Sequence, residues 1–372
     1  MTERIMALVG AILVSALACG RDAPPDEAAG TAETTAARSL PALPSETTIE
    51  APEFPDNPRV MRILEQSHPD PLGELRPEDG EIDFGRTRDT QDDQIEIASW
   101  NIKHFSARKS RREIEVMAEV VAKYDIVGIQ EVLDERGPEE LVDALGKLRG
   151  EDGKKLEYDV IVTEKRGRTP NEAERYAFVY DTETIEVLNT GRWGEFDDES
   201  DDSTDESEHP ADIARLPYAA AFSAKGRPAD RPFDFVLILV HTKPPSGTRL
   251  ARELDIIGQV YADMPNYFPD EFDFILMGDF NERSEYTHFG THLMRPFRLQ
   301  ALIPHPTSTM IDGQGTKTND NILLPPETMP NYVEGSAGVD DFDTDLVPPP
   351  RPSRVSDHRL IYGSFERYGD RD

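Results

Sequence analysis

Asn101, Glu131, Glu174, His241, Asp279, Asn281, Asp320, Asp357 and His358 are the residues of this chain whose types could do chemistry together. Each stands at or beside the end of an apolar run. Carboxylates suit a hard divalent cation, magnesium or manganese, which takes oxygen ligands. A histidine paired with a carboxylate works as acid or base near neutral pH. Asparagine amides hold a phosphate oxygen without adding charge. The combination points to metal-assisted hydrolysis of a phosphate ester. A lone histidine at a strand end is ordinarily structural, but two of them among these acids and amides form a set. Zinc is less expected, since the only cysteine, Cys19, lies in the amino-terminal leader.

Something must bring these side chains together, and the apolar runs beside them read as strands. The run from Phe272 to Leu276, interrupted by Asp273, reads as a buried strand; Gly278 turns the chain and presents Asp279 and Asn281. Residues 95–101, 125–131, 158–162, 176–180, 233–241, 318–324 and 359–365 read the same way. Ser110 and Glu113 have capping-box spacing. Ile114, Met117, Val120 and Val121 then follow at helical spacing, which predicts a helix over 111–123. Helices are also expected over 138–148 and 249–262. Strand, helix, strand and then hairpin-like strands imply an α/β protein with mixed sheets.

The 372 residues carry 40 basic and 73 acidic side chains, a formal charge of −33. Such acidity opposes broad adsorption to nucleic acid or anionic lipid. Nine of the acidic side chains lie in the run 195–208, which reads as a solvated loop. A second reading, a structural calcium site, rests on the same carboxylates, though without EF-hand spacing. Residues 1–19 read as an export leader. Arg4 precedes the apolar run Met6–Val14, too short for the roughly 20 residues of a spanning helix. Ala16-Leu17-Ala18-Cys19 resembles a lipoprotein signal with Cys19 as the lipidated residue, apart from the small Ala16. Residues 20–53, rich in Pro, Ala, Glu and Thr, read as a disordered tether, and 58–66 as a short helix. The expected organisation is a leader at 1–19, a tether and extension at 20–93, and a catalytic domain at 94–368.

The ordered segments Trp100-Asn101, Gln130-Glu131, Val240-His241, Gly278-Asp279-Phe280-Asn281 and Ser356-Asp357-His358 resemble the endonuclease/exonuclease/phosphatase superfamily over residues 95–367. Glu174-Arg175-Tyr176, Arg215-Leu216-Pro217 and the stretch from Gln300 to Pro304 resemble its deoxyribonuclease I-like branch. The resemblance implies a four-layer sandwich, two mixed β-sheets face to face with helices outside. It implies that Glu131, with Asn101 and Asp357, holds Mg2+ or Mn2+. It implies that His358 with Asp320 activates water, and that His241 with Glu174 protonates the leaving oxygen. The sequence itself leaves open which histidine is acid and which is base. Asp279 and Asn281 would orient phosphate and water, and Arg215 would contact phosphate. Lys103, with Arg108, Lys109, Arg111 and Arg112, offers a local basic track, or simply a solvated helix start.

The chain also departs from that branch. Leu133 stands where an arginine normally enters the DNA minor groove, Glu172 where a tyrosine packs on the sugar, and Asn321 where an arginine follows the Asp320 position. The branch's disulfide cysteines are absent. The hydrolytic set remains while the groove-reading residues are gone. Two readings follow: an exported, envelope-anchored monomeric endonuclease acting on DNA, or a phosphoesterase acting on a phospholipid headgroup, inositol phosphate or other small ester. A third, a dead binding module, requires loss of His241, Asp279 or His358, and all three are present.

Overall fold

Both faces of β7 (Asp234–His241) are buried beyond its first residue, which is why it reads as an unbroken apolar run rather than an alternating one. The computed structural model describes residues 93–370, apart from 151, 168, 170–171, 193–212, 227–230, 245–247, 282–287, 312–316, 326–328 and 346–350. The expected leader, tether, short helix at 58–66 and the acidic run 195–208 lie outside these residues.

The first sheet holds β1 (Gln94–Phe105), β2 (Ile126–Val132), β3 (Tyr158–Val162), β4 (Arg175–Asp181), β11 (Gly338–Val339) and β12 (Ile361–Glu366), in the order β11-β12-β1-β2-β4-β3. The second holds β5 (Ile185–Arg192), β6 (Tyr218–Ala224), β7, β8 (Phe274–Asp279), β9 (Gln300–Ala301) and β10 (Asp320–Leu324), in the order β5-β6-β7-β8-β10-β9. Each sheet has one parallel pair, β1 with β2 and β7 with β8, flanked by antiparallel strands. Helix α1 (Arg111–Val121) and helix α3 (Thr248–Tyr267) make the two crossovers; α2 (Arg136–Leu145) follows β2. The Ser110–Glu113 capping box closes the start of α1 as the spacing predicts.

Both sheets share one pairing pattern, a central parallel pair with antiparallel strands on either side. The carboxyl ends of each parallel pair share an edge with the amino ends of their antiparallel neighbours. All the singled-out residues fall on these two edges, where ligands of such sheets are held.

Between the sheets, Ile97, Phe178, Phe222, Phe235, Leu239, Met277 and Ile322 belong to one buried core. A Cβ on Gly128 would stand 2.7 Å from Met277 Cε, so β2 comes close to the opposite sheet. Helices α1 and α2 bury a second core on the outside of the first sheet, and α3 a third on the second. This is the expected four-layer sandwich. Two details differ from expectation. Phe272 is exposed at 61% while Asp273 is buried, because the strand begins only at Phe274. Strands β5 and β6 were not anticipated: the Ala-rich run of β6 is buried on both faces and shows no alternation.

Candidate active site

Asp279 ends β8 in register with His241 of β7 on one side and Asp320 of β10 on the other. Its Oδ1 accepts the Asn281 backbone N–H at 2.8 Å. Asn281 holds a left-handed backbone, φ 50°, and its amide donates to Thr242 O. Three donors from both sheets surround the other oxygen, Oδ2. Asn101 Nδ2 lies at 3.0 Å, His241 Nε2 at 3.5 Å and His358 Nε2 at 3.7 Å.

Each imidazole is backed by a carboxylate through Nδ1. His241 Nδ1 is bonded to Glu174 Oε1, which opens onto β4 in the other sheet. His358 Nδ1 is bonded to Asp320 Oδ2 at 2.8 Å. These bonds leave both Nε2 atoms facing the same side. Arg215 Nε pairs with Glu174 Oε1 at 2.7 Å. The backbone around the dyads is pinned as well. Tyr176 OH accepts the His241 N–H, Trp100 Nε1 donates to His358 O, and Ser356 Oγ accepts the His358 N–H while donating to Asn101 O.

Burial pushes the His358 ring toward neutrality, but Asp320, Asp279 and Asp357 outweigh it and raise its pKa to about 10. His241 is raised too: burial opposes its charge, but the Glu174 carboxylate prevails, with help from Asp279 and against Arg215. Burial pushes Glu131 up, yet His241, the His104 backbone N–H and the Asn101 amide together hold it below the usual carboxylate range.

Glu131 sits where the regular ladder breaks. The β1–β2 register shifts between Asn101 and Phe105, and the β2–β4 register between Ile129 and Val132. Glu131 (φ 60°) and His104 (φ 48°) are both left-handed there. Bulges with such residues re-aim side chains, often beside active sites. The result sets Glu131 Oε1 3.3 Å from Asn101 Nδ2, and Oε2 on the His104 N–H at 3.0 Å.

The structure thus brings together Asn101, Glu131, Glu174, Arg215, His241, Asp279, Asn281, Asp320 and His358. Asp357 stays at the rim, paired with Lys103 Nζ at 2.7 Å. The predicted basic track is divided. Arg111 and Arg112 pair with Glu115 on α1 and do not line the cleft. Lys109 is spent on the Arg354 and Val355 carbonyls, and burial lowers its pKa to about 8. Lys103, Arg108 and Lys109 do line a cleft of about 630 Å3, with Glu131, Leu133, Glu174, Arg215 and Arg354. Glu172 pairs with Lys243, and the Asn321 amide bonds the backbone of Ile303. Sequence reasoning passed over Tyr176 OH, Thr309 (whose Oγ1 accepts the Asp320 N–H at 3.3 Å) and Arg354. It also passed over the spacing of His288 and His292, which do not line the cleft; His292 Nδ1 is bonded to Asp255 at 2.6 Å.

Residues 98–358 match the model of the Endonuclease/Exonuclease/phosphatase family. The chain belongs to this family. It is accordingly a hydrolase of phosphoester bonds, of phosphodiesterase or nuclease type. A Deoxyribonuclease of Thioalkalivibrio sp. (strain K90mix) is 28% identical over 290 residues, 73% of this chain and 71% of that one. Deoxyribonuclease-1-like 2 of Mus musculus is 24% identical over 289 residues, 74% of this chain and 92% of its own. Among solved structures, mannosyl-6-phosphatase Bt3783 of Bacteroides thetaiotaomicron VPI-5482 superposes with a TM-score of 0.51 at 17% identity, covering 73% of this chain and 99% of that one. At that identity the likeness is one of fold.

The family is metal-dependent, and the residues present fit a divalent cation. Asn101 spends its amide nitrogen on two carboxylates, and its Oδ1 is buried beside the ionised Glu131 with no hydrogen-bond partner among the described residues. An oxygen acceptor pair of that kind suits a hard ion. Asp279, Asp320 and His358 also present ligand atoms within 4.8 Å of one another. There, however, Asp320 Oδ2 and His358 Nδ1 are already bonded to each other.

Proposed function

We propose that this chain is an exported, divalent-metal-dependent nuclease that hydrolyses phosphodiester bonds of DNA by paired histidine acid–base catalysis. The observation that carries the chemistry is the convergence of two carboxylate-backed imidazoles, from separate sheets, on one oxygen of Asp279. In this reading the phosphate lies against Asp279, Asn281, Asn101 and Arg215. His358 takes the proton of the attacking water, oriented by Asp320. The new P–O bond forms as the old one breaks, and His241, oriented by Glu174, gives its proton to the departing oxygen. Glu131 and Asn101, with Asp357 at the rim, would hold Mg2+ or Mn2+, which supplies positive charge to the phosphate oxygens. The ring acting as base must first lose a proton that its carboxylates hold, so the rate rises with pH before it levels.

The deoxyribonuclease relatives support DNA as the substrate, and Lys103, Arg108 and Arg215 give the cleft a positive wall. A second reading, a small phosphoester substrate, draws on Leu133: it stands 39% exposed at the cleft in place of a groove-reading arginine. The leader ending at Cys19 supports export and a lipid anchor at the cell envelope; the carboxylate-rich segment 195–208 supports, more weakly, a structural calcium ion.

The test is cleavage of supercoiled plasmid and of bis-p-nitrophenyl phosphate with Mg2+, Mn2+ or Ca2+ at low and high salt. Wild type should nick plasmid, and His241→Ala or His358→Ala should lose roughly 100-fold or more. Plasmid left intact in every condition sinks the nuclease reading, and turnover of the small diester alone favours the second.

A further inference from the structure

His104 is a third histidine at the site, and the mechanism above does not use it. We propose that His104 is a further ligand of the divalent cation, and that it tilts the site toward ions that accept nitrogen, manganese among them, over magnesium. This rests on the reading of Glu131 and Asn101 as cation-holding residues.

The argument begins with the backbone. His104 is one of four non-glycine residues with positive φ among those described, and Glu131 is another. Both lie at the paired irregularity where β1 and β2 lose register. A left-handed backbone at a non-glycine residue carries a cost that persists where the surroundings fix it, and such residues gather at functional sites. Here the fixing contact is the His104 N–H on Glu131 Oε2 at 3.0 Å.

The side chain follows from that backbone. His104 Nε2 lies 3.9 Å from the same Glu131 Oε2, and the ring lines the cleft. Its side chain is 72% exposed, so it is not there to fill a core. Ligands on neighbouring positions of an octahedral ion at 2.0–2.1 Å stand about 3 Å apart. A small rotation of an exposed ring closes that difference.

Donor chemistry sets the preference. Asn101 Oδ1 and Glu131 alone form an oxygen site, which magnesium and calcium favour. One imidazole added to it raises the affinity for manganese and later transition ions, which accept nitrogen more readily.

The experiment is metal binding, not turnover. Full-length chain would be titrated calorimetrically with MnCl2 and with MgCl2. Pulsed EPR would then look for nitrogen coupling to bound Mn2+. The variant is His104→Asn, because asparagine tolerates the left-handed backbone; His104→Gln replaces it if the first fails to fold. The variant should bind Mn2+ at least about tenfold more weakly, a loss that even outer-shell partners of metal sites cause. Mg2+ affinity should stay within about twofold, and nitrogen coupling present in wild type should fall or vanish. Unchanged Mn2+ affinity, or coupling that persists in full, overturns the role of His104 and leaves the Glu131 site standing. If neither ion binds wild type, the cation reading of Glu131 falls, and this inference with it.

Discussion

Asp279 gathers the site. One oxygen meets the Asn101 amide and faces both histidines, and each histidine charge is raised in part by it. Asp279→Asn should therefore act twice. It should lower kcat by roughly 100-fold or more, as losing a charge-stabilising group at a reacting centre does. It should also lower the pKa of His358, followed by 15N NMR in the metal-free protein; a His358 titration that does not move sinks the coupling. The stability sign follows. The folded His358 pKa, about 10, lies above the ordinary 6.5. Its ion pair therefore contributes stability fully below pH 6.5 and loses it as pH rises through 10. Asp320→Asn should lower the urea midpoint at pH 7 and have little effect at pH 11. A midpoint deficit equal at both pH values would show that the pair does not hold that proton.

At the scale of elements, the ends of the parallel pairs do the positioning. Gly278 has φ 142°, and a Cβ there would stand 2.0 Å from Val240 O on the paired strand. Gly278→Ala should cost about 3 kcal/mol or more, the upper end for single substitutions. It should also part Asp279 from His241; urea denaturation with activity at matched folded fraction checks both. Strands β1, β2, β7 and β8 were legible because apolar runs lead straight into Asn101, Glu131, His241 and Asp279. The carboxylate–histidine pairs entered through resemblance, and the geometry joins them across 67 and 38 residues of chain. The roles of Tyr176 OH and Thr309 were not legible. Tyr176 meets its partner 65 residues along the chain and Thr309 meets its own a shorter way along, and neither residue type signals a site by itself. His104 stands three residues after Asn101, but only the bulge shows where its ring goes.

The whole molecule carries a charge of −33 around a cleft with a basic wall. On the nuclease reading, that balance weakens DNA binding at a distance and leaves local cations to capture it. Leu133→Arg should then lower KM for plasmid several-fold and steepen the salt dependence by about one unit of slope; an unchanged slope would mean DNA does not pass Leu133. The two sheets are also tied together at the chain's end. After β12, Arg367 O accepts the Phe233 N–H, Gly369 N–H reaches Arg231 O, and Asp370 Oδ2 accepts the Asp234 N–H at 3.1 Å. That last contact sets two carboxyls against each other at the start of β7. Burial, then the hydrogen bond with Asp370, then the charges of Glu271 and Asp370 push the Asp234 carboxyl up to about 7. A raised acid stabilises the fold below its unfolded pKa, near 3.9, and that contribution is lost as pH rises through 7. The melting temperature should therefore fall between pH 5 and pH 8. In Asp234→Asn, which keeps a hydrogen-bond donor and removes the charge, the fall should be smaller and stability at pH 8 higher. Identical melting profiles for the two proteins would show that this closure does not depend on a shared proton.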